Sequence, residues 1–551
     1  MSSRVLVLVA LVFLLLGYRL YGRFISRLLG IDPERRTPAH THYDGVDYVP
    51  VRHWLVLFGH HFSSICAAGP IVGPALAVAY WGWGPSLVWI LLGGVLMGAV
   101  ADFSSLVVAV RHGGSSIAQV AGSVIAPRSR RAFTVFILVA LVLVLAVFAE
   151  LAAGTFVAKP QIVLPSLGIL PVAALAGLFL YRGIQTRARL VSVTFLGLAA
   201  LAAAMALGET LPIRFPGADP HTGWIVLLFL YCFVASVLPV QYLLQPRDYL
   251  SAYILFATIF LGLLGVVVTN PSMSAATATR FVPSQWPAAG PLWPMMFVTI
   301  ACGAISGFHS VVSSGTTCKQ LDNERNACRV GYAAMLVESL VAVLVVVAVG
   351  AGLGIAEHAE LLRGQGGAIT AFGEGYGAIT RVFFGEYGTA FAVMALNFFI
   401  LTTLDTATRL GRYLTAELLG TERRFLPTLL VVGAAFLLAY SGQWRRLWPA
   451  FGASNQLVAG LALLVVSCWL LQRGRDALPT LIPSLLMLVT TIAALVLQIH
   501  AALVGSDRGV SEWIIAGVDL LLIALALSVF AEAWGILRGR RRKPEIATTG
   551  A

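Results

Sequence analysis

The stretch LFGHHFSSICAAGPIVGP, residues 57–74, lies inside a run that is apolar from 54 to 80, yet it carries prolines at 70 and 74 and glycines at 59, 69 and 73. A proline deletes one helix hydrogen bond and clashes with the preceding turn, so a straight spanning helix is not expected here. A second stretch, ASVLPVQYLLQPRD at 235–248, repeats the pattern five apolar segments later. Kinked packing helices also use Gly and Pro, and either stretch alone allows that reading. Interrupted segments at matching positions of two halves point instead to an inverted-repeat transporter, whose unwound helices turn backbone dipoles toward a ligand at the midplane. An odd offset of five makes the halves insert with opposite orientation.

The rest of the chain fits a bilayer. Of 551 residues 58% are hydrophobic and 11% charged, and the mean hydropathy is +0.87; a soluble protein is nearer 45–50% apolar and about 25% charged. The runs at 330–351 and 513–534 are continuously apolar over the length of a helical span, which excludes a barrel of short alternating strands. About fifteen such spans can be marked. The expected organisation is a first span and linker (1–53), a five-helix repeat (54–207), a second repeat (222–412), peripheral helices (426–535) and a basic tail (536–551). The first span follows only Arg4 and has no small-residue cleavage site, so it reads as a retained anchor.

Charge confirms the layering. With the N-terminus outside, 28 of the 37 Lys and Arg fall in cytoplasmic segments, loop after loop. The net charge of +12 is therefore topology, and no nucleic-acid partner is expected. The six cysteines show no paired spacing and read as free thiols, with no zinc or other metal site. None of the three lysines follows a glycine, so there is no phosphate-cradling P-loop; HExxH and GxSxG are absent too. The chain reads as no enzyme and no ATP-driven pump, needing no cofactor beyond a coupling ion.

Ionisable residues inside spans are costly and mark function by default. His60 and His61 lie early in the second span, His309 in the ninth, and imidazole titrates near neutral pH. Asp102, Glu150, Glu338 and Asp519 are lone intramembrane carboxylates, while Asp405 and Arg409 stand four apart as an expected local ion pair. Candidate substrate contacts are Gly59, His60, His61, Gly69, Pro70, Ser236, Pro239, Gln241 and Gln245. Candidate ion-coupling residues are His60, His61, Asp102, His309, Ser313 and Ser314, the serines being the hydroxyls that would suit Na⁺. Serine, glycine and histidine also serve ordinary helix packing, and that reading stands beside each.

The blocks FGHHF (58–62), the Gly-Pro pairs at 69–70 and 73–74, SVLPV (236–240), LLQPRDYL (243–250), SSGTT (313–317), KQLDNE (319–324), FILTTLDTATRLGR (399–412) and LWPAFGASNQL (447–457) resemble the carbon starvation CstA family, in order, from about 31 to 475. Ala101, Gln241 and Cys318 stand where the family often has Gln, Trp and Pro. The resemblance implies an all-α, multi-pass protein of the bacterial inner membrane, with a LeuT-like 5+5 inverted-repeat core, two broken helices and peripheral helices. It further implies ion-coupled import of peptides or pyruvate-like small carboxylates during carbon limitation, with proton or Na⁺ as the coupling ion. A passive channel for small carboxylates is the alternative. A membrane sensor is disfavoured by the short tail after Trp534.

Overall fold

The computed structural model describes residues 1–45, 47–51, 53–181, 187–238, 244–364, 366–421, 423–440, 444–504 and 510–539. The described residues form helices and no named strand; three isolated bridges, such as Arg36 with Asn323, tie loops together.

The helices run in chain order as α1 (Ser3–Leu29), α2 (Trp54–Ile65), α3 (Gly69–Trp81), α4 (Trp83–Arg111), the short α5 (Ile117–Val124), α6 (Pro127–Ala158), α7 (Val163–Tyr181), α8 (Arg187–Thr210), α9 (Pro220–Val237) and α10 (Leu244–Thr269). They continue as α11 (292–299), α12 (Gly307–Gly315), α13 (Glu324–Gly352), α14 (Ile355–Arg363), α15 (Gly367–Phe384), α16 (Gly388–Leu419), α17 (Phe425–Ala439), α18 (Trp444–Gln472), α19 (Leu478–Val504) and α20 (Val510–Leu537). Twelve stretches of described helix are long and apolar enough to cross a membrane, and the bent pair α2–α3 makes thirteen. Burial separates core from periphery: α4 and α18 are almost wholly enclosed, whereas α1, α8 and α20 turn large apolar side chains such as Leu8, Phe195 and Leu520 outward.

The first interruption is where the prolines place it. Helix α2 ends at Cys66, whose backbone is extended, and α3 restarts at Gly69 with Pro70 in its first turn, bent by 50°. Proline is well placed there because the first amides of a helix have no intrahelical acceptor.

The second interruption is not where the sequence reading puts it. The residues around 235–248 join two full-length helices: α9 ends at Val237, and Pro246 lies in the first turn of α10. Val237 and Leu244 are thus the ends of two separate spans, and Pro246 sits in a first turn, where a missing amide costs no helix hydrogen bond. The second broken span is 292–315 instead, where helix is lost from Ile300 to Ser306 between α11 and α12. The region 355–386 forms the two helices α14 and α15, which pack on α3.

Candidate transport site

The two interruptions lie against each other. A Cβ on Gly69 would collide with Cys302 Sγ, and one on Gly73 with the Thr299 carbonyl, so the crossing tolerates no side chain at either position. Loss of helix at 300–306 frees backbone groups that cannot be left unpaired in the interior. They are met from neighbouring helices. Trp89 Nε1 donates to the Ile300 carbonyl (3.2 Å), Trp448 Nε1 to Thr299 (3.3 Å) and Gln456 Nε2 to Phe297 (2.7 Å). Asn455 does most: its Oδ1 accepts from the Phe308 amide at 2.8 Å, capping α12, and its Nδ2 donates to Cys302 Sγ at 3.2 Å and Ser306 Oγ at 3.1 Å. The LWPAFGASNQL block thus acts as a clamp for a break that contains no proline.

Just beyond the crossing, three buried ionisable side chains from three helices meet. His309 of α12 turns Nδ1 to Asp102 Oδ2 of α4 at 3.0 Å and Nε2 toward Glu338 Oε2 of α13 at 3.1 Å, and all three are 0% exposed. Asp102 and Glu338 are therefore not lone carboxylates. Nothing in their sequence spacing marks the meeting; the clue is only that a charge inside a span must find a partner.

A cleft of about 430 Å³ reaches the broken spans from one side, lined by Ser64 of α2, Ser314 of α12, His60, Asp248, Arg409 and Lys319 among others. His60, 28% exposed at its side chain, stands 3.9 Å from Asp248 Oδ2. Its neighbour His61, 100° further round the helix, is fully buried, and its Nδ1 is hydrogen-bonded to Thr317 Oγ1 at 2.8 Å. Gly59 has open space where a Cβ would stand, while Pro70 is buried in the crossing. Ser314 Oγ donates to the Ser310 carbonyl and accepts from the Ile117 amide, whereas Ser313 Oγ is buried with no hydrogen-bond partner.

Ser236 lies away from the crossing, its Oγ 3.4 Å from Thr428 Oγ1 and its carbonyl accepting from Arg412. Pro239 and Gln241 lie outside the described residues, as does the side chain of Gln245. The expected Asp405–Arg409 pair does not form. Asp405 binds Arg247 and the Tyr231 hydroxyl (2.6 Å), and Arg409 instead donates to the Ala235 and Leu238 carbonyls at the end of α9. Glu150 pairs with His221 at 3.3 Å.

Two broken spans crossing in an inverted-repeat helical core, with ionisable groups beside the crossing, define a secondary transporter. The chain belongs to the carbon starvation protein CstA family, whose model matches residues 2–358 and 351–494. It is 34% identical to the peptide transporter CstA of Escherichia coli over 87% of this chain and 79% of that one, and 33% identical to the peptide transporter CstA of Bacillus subtilis over 97% and 98%. It is also 32% identical to the pyruvate/proton symporter BtsT of Escherichia coli, over 88% and 80%. Among solved structures, a manganese transporter of Eremococcus coleocola shares the fold with a TM-score of 0.50 at 13% identity, covering 90% of this chain and 99% of that one.

Proposed function

We propose that this transporter imports peptides by ion-coupled alternating access at the crossing of α2–α3 with α11–α12. The observation that carries the reading is the cleft, which extends from the loops near Lys319 to Ser64 and Ser314 on the two broken spans. Its wall holds charges of both signs, Lys319 and Arg409 with Asp248 and Glu417, which suits a ligand bearing both an ammonium and a carboxylate. Helix termini at the breaks add dipole ends for the carboxylate. Import of a pyruvate-like carboxylate is the second reading, favoured by the resemblance to a pyruvate/proton symporter.

The rocking units in this proposal differ from repeats bounded at 54–207 and 222–412. The first comprises α2–α3, α4, α6, α9 and α10, with the α7–α8 hairpin inserted; the second comprises α11–α12, α13, α16, α17 and α18. The pairing is supported by length and packing. Helices α4 and α13 are each 29 residues with one π segment (Gly94–Gly98, Cys328–Tyr332), and α6 and α16 are each 32. Helix α6 packs on α16 and α9 on α17, while α10 and α18 each pack on a broken span.

Counterflow in proteoliposomes tests the substrate. Labelled dialanine exchanging against unlabelled di- and tripeptides, with pyruvate failing to compete, is the expected result; exchange of pyruvate alone selects the second reading. A passive facilitator would never concentrate its substrate under an imposed ion gradient.

A further inference from the structure

The Asp102–His309–Glu338 cluster has an uneven geometry. Between Asp102 Oδ2 and His309 Nδ1 there is an aligned hydrogen bond of 3.0 Å. Glu338 Oε2 is as close to Nε2, at 3.1 Å, but off the hydrogen-bond axis, and neither Glu338 oxygen has a hydrogen-bond partner. An imidazole that meets a carboxylate at both ring nitrogens satisfies both only as the doubly protonated cation. Cation plus two carboxylates leaves one uncompensated negative charge, and burying such a charge is expensive. One further proton makes the cluster neutral.

The surrounding groups do not supply it. The other titratable side chains near the cluster are His61 from α2, bound to Thr317, and the thiols of Cys66 and Cys302 at the two breaks, with Cys302 Sγ held by Asn455 and within 4.8 Å of the His309 and Glu338 ligand atoms. From α18 the nearest polar group is Asn455 itself, which is neutral.

Resting on the transport reading above, we propose that Glu338 carries the coupled proton, and that His309, kept as a cation by Asp102, is the fixed counter-charge rather than the titrating group. The step is one O–H bond: a proton from water on the outer side adds to a Glu338 carboxylate oxygen and returns to water on the inner side, with no other bond changed. Coupling follows from where the partners sit. His309 rides on the broken span and Glu338 on α13, so in the closed arrangement the buried cluster holds the proton and is neutral, and a movement of α12 that lets inner-side water reach Glu338 allows the carboxylate to ionise and the proton to leave. Closing the cluster again requires a new proton on Glu338, which ties each cycle to one proton. Histidine titration would need no such movement.

The test uses the full-length protein in proteoliposomes with labelled dialanine and, in parallel, labelled pyruvate. E338Q is expected to retain measurable counterflow, at whatever rate, while its accumulation ratio under an imposed pH gradient falls to 1 and substrate-evoked proton entry, read with an internal pH dye, disappears. E338D, which keeps a carboxylate, is expected to retain pH-driven accumulation with a displaced pH midpoint, and it stands in if E338Q does not purify as a monodisperse species. H309Q is expected to lose counterflow as well as accumulation, since it removes the cation that lets two carboxylates share the site. The proposal is overturned if E338Q still concentrates substrate under a pH gradient, or if the wild type accumulates it under a Na⁺ gradient alone. Absence of counterflow in the wild type would defeat the transport reading instead.

Discussion

Arg247, in the first turn of α10, is completely buried and pairs with Asp405 of α16, with the Tyr231 hydroxyl hydrogen-bonded to both. The same guanidinium reaches Asp248 Oδ1 at 3.1 Å, and Asp248 in turn faces His60 in the cleft. A buried pair gains little over an apolar substitute, but removing one partner strands the other charge, at about 3–5 kcal/mol. R247Q and D405N are therefore each expected to lower the melting temperature of the purified protein strongly, and the double variant to recover much of the loss. Additive losses in thermal melts would show that the two charges are independently solvated.

Topology gives a second expectation. Single cysteines introduced at 182–189 and 319–329 are expected to label only from the cytoplasm, and those at 209–219 and 270–290 only from outside, because 28 of the 37 positive residues lie on the side of the first group. Impermeant maleimide on intact cells and on inverted vesicles reads this directly. Labelling of both groups from one side would contradict opposite insertion of the two repeats.

How much of this was legible follows from which forces are local. Apolar run length marks the spans, and Pro70, Pro74 and their glycines mark the first break, because proline acts on its own backbone. The second break was invisible: IACGAIS (300–306) has no proline, and it is held open by Trp89, Asn455 and Gln456, which are remote in sequence. The same locality misled the reading of Pro246, which lies in the first turn of a new span, and of Asp405, whose neighbour four residues on is occupied in capping α9 while Arg247, 158 residues away, takes the carboxylate. The His309 cluster needed three spans to be brought together, and periodicity along one span carries no record of that.

His358 on α14 offers a pH-dependent readout outside the spans. It is 4% exposed where α14 packs on α3, and burial pushes its imidazole down to about 4. A base with a depressed native pKa contributes its full stability above the unfolded value of about 6.5 and loses it as pH falls toward 4, up to about 3 kcal/mol in total. Between pH 7 and 4 the wild type is expected to lose melting temperature relative to H358Q, which has nothing to titrate there. Parallel melting curves across that range would place the histidine in water.

Asn455 is the residue on which the geometry of the second break depends most. Its side chain makes hydrogen bonds with the Phe308 amide, Ser306 Oγ and Cys302 Sγ, so truncation to alanine unpairs a helix-capping amide and releases the segment that carries His309. Loss of a cap alone costs about 0.5–2 kcal/mol, so N455A is expected to fold. N455D keeps the acceptor for the Phe308 amide but loses the donor to Cys302 and adds a negative charge beside a cluster that already holds two carboxylates. N455A should slow counterflow at least tenfold with a small loss of melting temperature. N455D should keep the cap and its stability yet still transport poorly, with a changed pH profile. Near wild-type counterflow in both variants would mean that the break is held by backbone packing at Gly69 and Gly73, and that the amide of Asn455 is dispensable.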